Sequence, residues 1–215
     1  MTETLDLSPD ELLTTTRTVR KRLDLERAVP LEVIRECIEI ALQAPSGSNR
    51  QTWHWLVITD AEKRAAIGEY YRLAVEKYLA GSGAAGKLYA DDPVRGPVQR
   101  RIGDSVAYLG ERMGQVPVLV IPCLTAASLP AGNQAGLWGS ILPSAWSYML
   151  AARARGLGTA WTTLHLNYEK EVGELLGLPE DVRQTVLIPT AYTVGTNFKP
   201  APRQPLDEVL HLDTW

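Results

Sequence analysis

The feature that most constrains this chain is a run of 40 consecutive residues without a charged side chain, between Arg112 and Arg153. A run of this kind has to be buried, either in a bilayer or in a protein interior. Four prolines interrupt it, Pro117, Pro122, Pro130 and Pro143. Together with several polar residues they leave no stretch of ~18 uninterrupted apolar residues, the length that a membrane span needs. We therefore expect a protein interior and no membrane segment.

The second half of this run predicts a long helix from about 135 to 155 that is apolar nearly all round. A helix with that pattern has to be covered on every side. The cover comes either from its own domain or from a second subunit. The run therefore indicates a dimer.

Composition excludes several classes of protein. The chain has 215 residues, of which 45% are hydrophobic and 22% charged, and this is typical of one globular domain. Its net charge of -3 offers no overall basic field for nucleic acid. Cys37 and Cys123, 86 positions apart in apolar stretches, are expected to be core thiols in a reducing cytoplasm. The first residues do not have the pattern of a secretory signal, which also favours a cytoplasmic protein.

Helix and strand signals alternate along the chain without a repeat of fixed length. A capping box with Pro9 starts a helix running toward Thr15, Pro30 precedes a second helix, and Asp60 caps a third helix through about Leu79. A polar helix over 98–113 and the long apolar helix follow. Asn167 is predicted to cap a last helix, which ends at Gly177. The strand signals cover 53–59, 116–123, 157–164 and 185–194. The pattern predicts a single domain over 1–215, of α/β or α+β class, around one central sheet.

The usual motifs of hydrolases, phosphoryl-transfer enzymes and dithiol enzymes are absent from the sequence. His54, His165 and His211 are dispersed, with no spacing that would bring two of them to a metal or to a nucleophile. Residues 81–86, Gly-Ser-Gly-Ala-Ala-Gly, match the dinucleotide fingerprint formally. They follow a helix and precede a loop-like segment, so a flexible lid or connector is the better interpretation. Any chemistry must therefore come from a cofactor.

Three segments have the composition of an anion-binding or cofactor-binding site. Residues 16–20 place two guanidinium groups and two hydroxyls in five positions, although Lys21 and Arg22 continue the run and a solvated basic patch would look the same. Residues 45–51 form a turn crowded with small donors and acceptors, which is also compatible with a plain turn. Residues 198–203 carry two cations on a stiff strip, either returning to the same anion or lying on the surface.

With these segments in this order, the chain resembles the FMN-dependent nitroreductase family. The resemblance extends from about residue 12 to 212, and the Pro-Ser-x-x-Asn-x-Gln element at 45–51 is its most specific part. The other matching segments are Arg-Thr-Val-Arg at 17–20, Gly-Leu-Gly-Thr-Ala-Trp at 156–161 and Pro-Arg at 202–203. The resemblance implies an α+β fold, a nitroreductase-like three-layer sandwich with a central, mainly antiparallel sheet flanked by helices. It also implies an intertwined homodimer with FMN at the subunit interface.

Carried over position by position, the resemblance assigns the phosphate of FMN to Arg17, Thr18 and Arg20, with Arg203 reaching it from the tail. Serines and an asparagine of the 45–51 element, supplied by the partner subunit, contact the ribityl chain and the pyrimidine side, and backbone groups at 162–164 line the flavin edge near N5. The implied cofactor-binding set is Arg17, Thr18, Arg20, Pro45, Ser46, Ser48, Asn49, Gln51, Thr162, Thr163, Leu164 and Arg203. Catalytic side chains and metal ligands are not implied. Trp146 and Ser147 replace the Gln and Asn found in many relatives, and Thr16 replaces an Arg.

The function implied is an oxidoreductase in which NAD(P)H reduces FMN and leaves, after which a nitroaromatic, a quinone or a similar flat acceptor takes the electrons by a ping-pong mechanism. The alternatives are related flavin chemistry (reductive dehalogenation, flavin breakdown or desaturation) and a non-enzymatic flavin-binding or sensing module. A lid-like excursion over about 68–97 is expected on the substrate side. Within it Tyr71 and Tyr78, seven residues apart, are expected to pack their own helix.

Overall fold

A sheet of five strands lies between two layers of helices in the computed structural model, which describes residues 2–215. The helices are α1 (Pro9–Thr15), α2 (Leu31–Ala41), α3 (Ala61–Ala80), α4 (Arg95–Arg112), α5 (Ala135–Ala154) and α6 (Glu169–Leu176). The strands are β1 (Trp53–Ile58), β2 (Val118–Thr125), β3 (Leu157–Thr159), β4 (Val182–Gln184) and β5 (Ile188–Tyr192). None of the helices in this part of the chain is long and apolar enough to cross a membrane.

The strand order is β1-β2-β5-β3, with β4 also paired to β2, and every pairing of these strands is antiparallel. Helices and strands are not arranged as parallel βαβ units, so the chain belongs to the α+β class. This settles the choice between α/β and α+β that the sequence pattern left open.

Both faces of the sheet are buried. Val118 and Val120 of β2 pack in a core with α2 and α5, while Leu119, Ile121 and Cys123, which alternate with them, pack in a core with α3 and α4. Alternate residues of a strand point to opposite faces, so an almost continuous apolar run is what a strand buried on both sides requires. The predicted three-layer sandwich is confirmed.

The predicted helix starts are confirmed where a side chain closes the first turn. Ser8 Oγ accepts the backbone N–H of Glu11 at 3.2 Å, and the Glu11 carboxylate accepts the N–H of Ser8 at 2.8 Å, which completes the capping box of α1. Asp60 Oδ1 accepts the N–H of Lys63 at 2.9 Å and caps α3.

The prediction that Asn167 caps a helix was wrong. The amide of Asn167 donates to the carbonyl of Leu164 at 2.9 Å, and α6 begins two residues later without a side-chain cap. Asparagine readily bonds backbone groups in a preceding turn, and here it stabilises the 3-10 turn Leu164–Tyr168 instead. The predicted helix end is confirmed, since Gly177 adopts a left-handed φ of 67° that glycine tolerates.

The last two predicted strands both differ from the strands in the structure. Gln184 lies opposite Cys123 and Ile188 lies opposite Val120, so four steps along one strand match three along β2. The predicted strand over 185–194 is therefore regular only over β5, and a one-residue bulge at its start separates β5 from β4, which the prediction did not include. The predicted strand over 157–164 is also shorter, because regular pairing stops at Thr159 and resumes only at Thr162.

Candidate functional site

The arginine segment, residues 17–22, lies directly against β3. Thr18 forms a parallel bridge with Thr159, and the N–H of Val19 donates to the carbonyl of Thr159 at 2.8 Å. Gly158 permits this approach, because a Cβ atom there would lie 2.5 Å from Thr193 Cγ2 and 3.1 Å from Val19 Cβ. The segment is therefore held in place by a strand of the central sheet and not by a flexible loop.

A cavity of about 270 Å³ opens over this segment. Its wall contains four cationic side chains, two hydroxyl side chains, an aliphatic residue and an aromatic ring. They are Arg17, Arg20, Lys21, Arg22, Thr18, Ser105, Val19 and Phe198. A concave wall with charges of one sign concentrates the electrostatic potential, so this cavity suits an anion.

Arg17 and Arg20 each make one hydrogen bond to the protein and keep further donors for a ligand. Nη1 of Arg20 donates to Ser105 Oγ at 3.2 Å, and Nη1 of Arg17 donates to the carbonyl of Lys199 at 2.7 Å. Burial lowers the pKa of the Arg20 guanidinium. A guanidinium has five N–H donors and remains charged in proteins, so both side chains can also bind an oxyanion.

Arg22 has a different role from the two neighbouring arginines. Its Nε donates to the carbonyl of Val194 at 2.9 Å, and its Nη atoms donate to the carbonyls of Asn197 and Gly195. The same guanidinium lies 4.0 Å from the centre of the Phe198 ring. Arg22 therefore holds the C-terminal segment, residues 194–215, against the arginine segment. The acceptors are backbone carbonyls, so the sequence carried no signal for this role.

The C-terminal segment returns to the arginine segment, but not through Arg203. The contact is made by the Lys199 carbonyl, which accepts from Arg17, and by Phe198 in the cavity wall. Arg203 is exposed, donates to the carbonyl of Pro202 at 3.1 Å, and does not line the cavity. The structure of a single chain therefore brings together three of the four phosphate residues predicted from the resemblance.

The segment 162–164, called the edge segment here, lies next to the arginine segment through β3. Thr162 and Leu187 exchange backbone hydrogen bonds of 3.2 and 2.8 Å, with Leu187 presented by the bulge between β4 and β5. The hydroxyl of Thr162 donates to the hydroxyl oxygen of Tyr71 at 3.3 Å. Thr163 is exposed, and Thr162 and Leu164 are half-buried. The edge segment therefore has backbone and side-chain groups near the surface on a rigid support.

The 45–51 loop has an unusual backbone. Ser48, Asn49 and Gln51 have φ values of 53°, 51° and 52°, in the left-handed region that non-glycine residues rarely adopt. Each such residue costs about 1–3 kcal/mol and persists only where its surroundings hold it. The N–H of Gln51 donates to Ser46 Oγ at 3.2 Å, and the Gln51 amide donates to Asn49 Oδ1 at 2.9 Å. Strain retained in an exposed polar loop is typical of a binding site.

This loop is attached to α5 and not to β3. The N–H of Gly47 donates to Ser140 Oγ of α5 at 3.0 Å. Among residues 2–215, hydrogen bonds and ion pairs do not connect the loop with the arginine segment or the edge segment. A single chain therefore presents the predicted residues as two groups, one on β3 and one on α5.

One face of α5 is left uncovered beside the loop. Gly136, Gly139, Pro143 and Trp146 follow the three-and-four spacing of one helix face and are all exposed, with 39% of Trp146 accessible. The opposite face is buried, for example at Tyr148. We predicted that this helix is covered on every side, either by the chain itself or by a second subunit. The chain itself covers only one face.

His165, Cys37 and Cys123 are titratable groups outside the site that are buried in the core. His165, directly after the edge segment, is fully buried with both ring nitrogens unpartnered among the described residues, and burial lowers its pKa to about 3. Burial raises the pKa of the Cys37 and Cys123 thiols to about 12, so they are unreactive core residues as predicted. Residues 68–80 of the predicted excursion belong to α3 and reach the core through Tyr71. The turns at 81–94, called the turn segment here, remain as its surface part.

Comparison with known proteins gives consistent matches. The model of the nitroreductase family matches residues 13–192. A 4-nitrobenzoate reductase of Nocardioides sp. is 28% identical over 191 residues, covering 79% of this chain and 74% of that protein. Iodotyrosine deiodinase 1 of Rattus norvegicus is 26% identical over 205 residues, covering 93% of this chain and 67% of that protein. The crystal structure of the FMN and NADPH-dependent nitroreductase NfnB from Sphigopyxis sp. strain HMH superposes with a TM-score of 0.72 at 22% identity, covering 97% of this chain and 100% of that one.

Proposed function

The chain belongs to the nitroreductase family, and on that premise we propose that it is an FMN-dependent oxidoreductase acting as a homodimer. In this proposal NAD(P)H is the electron donor, and a nitroaromatic compound, a quinone or a similar flat molecule is the acceptor. The similarity to a 4-nitrobenzoate reductase over most of both chains supports the choice of acceptor. The fold shared with an FMN and NADPH-dependent nitroreductase supports the choice of cofactor and donor.

The observation that carries the proposal is the cationic cavity beside the edge segment. FMN ends in a phosphate group that carries nearly two negative charges at neutral pH. The 270 Å³ cavity offers Arg17 and Arg20, each with unused donors, and the hydroxyl of Thr18. The donor set therefore fits a phosphate group. The same cavity is joined through Thr159 to the segment proposed to line the flavin edge.

In this proposal, different residues of the chain bind the phosphate of FMN, contact its ribityl chain and ring, and adjust its reduction potential. Arg17, Thr18 and Arg20 bind the phosphate, and burial around Arg20 strengthens its electrostatic attraction because the local dielectric is low. Ser46, Ser48 and Asn49 are proposed to reach the ribityl chain and pyrimidine side of the cofactor in the other subunit. Donors near the ring system stabilise its reduced form and so raise its reduction potential.

When bound, FMN supplies hydride and electron transfer, so the protein needs no nucleophile of its own. Alternating use of donor and acceptor in one site gives ping-pong kinetics. Thr162, Thr163 and Leu164 orient the reactive edge. His165 is buried and uncharged at neutral pH, so it does not act as an acid in the site.

A second candidate is reductive dehalogenation of a phenol. It is favoured by the 26% identity to an iodotyrosine deiodinase over 205 residues of the chain. Both candidates use the same cofactor site and differ only in the acceptor. Turnover of a nitroaromatic and a quinone, compared with turnover of halogenated phenols under identical conditions, separates them.

The charge swap Arg17→Glu tests the cofactor assignment. It replaces a phosphate donor by a carboxylate, so the dissociation constant for FMN should rise by about 100-fold, the equivalent of one or two charged hydrogen bonds. Fluorescence quenching of FMN titrated with the apoprotein measures this constant. Arg35→Glu, at an exposed position of α2 on the other face of the sheet and outside the cavity wall, is the matched control and should bind like the wild type. An Arg17→Glu protein that retains full FMN occupancy would contradict the proposal.

The third possibility is a module that binds flavin without catalysing a reaction. It can be tested on the same purified protein. It predicts bound FMN that NADH and NADPH reduce only sluggishly. Rapid bleaching of the flavin absorbance by either nucleotide under anaerobic conditions supports the enzyme.

A further inference from the structure

Tyr71 of α3 makes a hydrogen bond that joins two layers of the molecule. Its side chain is buried, with a relative exposure of 1%, and its hydroxyl oxygen accepts the hydroxyl proton of Thr162 at 3.3 Å. The N–H of Leu164 points at the same Thr162 oxygen at 3.5 Å. Thr162 therefore has a fixed orientation in which its proton is directed into the protein.

The Tyr71 hydroxyl also interacts electrostatically with Arg20, which lines the cationic cavity. Burial raises the pKa of the Tyr71 hydroxyl, while the hydrogen bond from Thr162 and the charge of Arg20 act in the opposite direction. Burial lowers the pKa of Arg20, and the hydroxyls of Tyr71 and Tyr78 oppose that shift. The charge of Arg20 thus acts on the same buried hydroxyl that is bonded to Thr162 in the edge segment.

We propose that Tyr71 is a positioning residue of the flavin site, which sets the orientation of the Thr162 hydroxyl toward the reactive edge. This inference rests on the proposed function. Because the Thr162 proton is engaged by Tyr71 and one lone pair faces the N–H of Leu164, the Thr162 oxygen offers its remaining lone pair to a ligand and accepts one hydrogen bond. The reduced flavin carries an N–H group at N5, whereas the oxidised flavin carries only a lone pair there. A Thr162 hydroxyl held as an acceptor therefore favours the reduced form.

The test is the variant Tyr71→Phe, which removes one oxygen and keeps the ring. Its Thr162 hydroxyl is free to turn its proton toward the oxidised flavin. We expect the equilibrium between oxidised and reduced bound FMN to shift about fivefold toward the oxidised form, which is ~20 mV in midpoint potential for a two-electron couple. The affinity of the oxidised protein for FMN should change less than this. Spectroelectrochemical titration of the flavin-loaded protein measures the potential.

Tyr78→Phe is the matched control. Tyr78 lies seven residues further along α3, and its hydroxyl also opposes the lowering of the Arg20 pKa. That hydroxyl accepts the N–H of Ala85 at 2.7 Å in the turn segment and not a group of the edge segment. Its removal should leave the potential unchanged. A role for tyrosine hydroxyls through Arg20 alone would shift the potential in both variants equally.

Thr162→Val provides the second arm. It removes the hydroxyl through which Tyr71 is proposed to act, so it should lower the potential by itself. Tyr71→Phe should then have no further effect in the Thr162→Val background, because two residues that act through one hydrogen bond are not additive. If Tyr71→Phe does not fold, the result for Thr162→Val alone decides, since an unchanged potential overturns the inference.

The possible failures are distinguishable. A wild-type protein that binds no FMN overturns both the proposed function and this inference. A wild-type protein that binds FMN, combined with a Tyr71→Phe potential equal to that of Tyr78→Phe, overturns this inference alone. So does a Tyr71→Phe shift that is as large with Thr162→Val as without it.

Discussion

His165 is a fully buried residue whose imidazole ring destabilises the fold at acid pH. Its ring is fully buried, and neither nitrogen has a partner among the described residues. Charging the ring inside the core would place an unpaired cation in a low dielectric, and this desolvation lowers its pKa to about 3. The residue therefore stays neutral near physiological pH, where it contributes packing and not chemistry.

This depressed pKa predicts a pH dependence of stability. An unfolded histidine has a pKa of about 6.5, so the folded protein binds fewer protons than the unfolded chain between that value and about 3. The contribution is fully present above about pH 6.5 and is lost as the pH falls toward 3, by up to about 1.4 kcal/mol per pH unit. The difference in unfolding free energy between His165→Leu and the wild type should accordingly grow between pH 7 and pH 4 in favour of the variant.

Urea denaturation at several pH values measures this difference. His211→Leu, at an exposed histidine of the C-terminal segment, is the control and should follow the wild-type curve. If the two histidine variants have the same pH profile, the buried, unpartnered state of His165 is not what makes the protein sensitive to acid.

At the same scale, residue types were easier to predict than residue roles. The sequence identified the cluster of arginines, and the structure places Arg17 and Arg20 in one cationic cavity. It could not separate them from Arg22, which binds three backbone carbonyls of the C-terminal segment. Arg203 was predicted to reach the same anion and instead lies outside the cavity, exposed. Such roles depend on long-range contacts that residue spacing does not encode.

Helices and strands could be predicted where the sequence signal lies within the element itself. Capping side chains and apolar spacing predicted α1, α3 and α5 to within one or two residues. The bulge between β4 and β5 was missed, because it depends on register against β2 and leaves no local pattern. That bulge presents Leu187 to Thr162, so the missed feature supports the edge segment directly.

The contact between the arginine segment and β3 depends on Gly158. In Gly158→Ala the new Cβ would lie 2.5 Å from Thr193 Cγ2 and 3.1 Å from Val19 Cβ, so the arginine segment or its neighbours must move. Overpacking of this kind costs about 1–3 kcal/mol. We expect the unfolding free energy to fall by that amount and the affinity for FMN to fall with it.

Urea denaturation of the apoprotein and FMN titration measure the two effects. The control is Gly83→Ala, where an added Cβ would meet no atom within 4 Å. Equal stability and FMN affinity in the two alanine variants would show that close approach at Gly158 does not position the arginine segment.

At the scale of the whole molecule, the two parts of the uncharged run between Arg112 and Arg153 are explained in different ways. Its first part forms β2, which is buried on both faces by the chain itself. Its second part forms α5, which exposes the Gly136, Gly139, Pro143 and Trp146 face. The strained 45–51 loop lies beside that face, bonded to Ser140. In the proposed homodimer a second copy covers this face, buries its apolar surface and brings the loop to the flavin site of the other subunit.

Trp146→Glu tests this arrangement. A carboxylate in the centre of the proposed interface should separate the dimer, because an unpaired charge is costly to bury. FMN should be lost with the dimer, since the loop and the arginine segment would no longer face each other. Light scattering coupled to size exclusion, together with the flavin content of each peak, measures both. Leu88→Glu, at a side chain with 42% exposure in the turn segment against 39% for Trp146, is the control and should remain a dimer with FMN.

Native mass spectrometry of the wild-type protein tests the central claim most directly, because it counts chains and cofactors in one particle. The account predicts a dimer that carries two FMN molecules, with no population of monomers that retain FMN. A monomer with one tightly bound FMN would contradict the proposal that the site is completed by a second copy, and a dimer without any bound flavin after reconstitution would contradict the cofactor assignment itself.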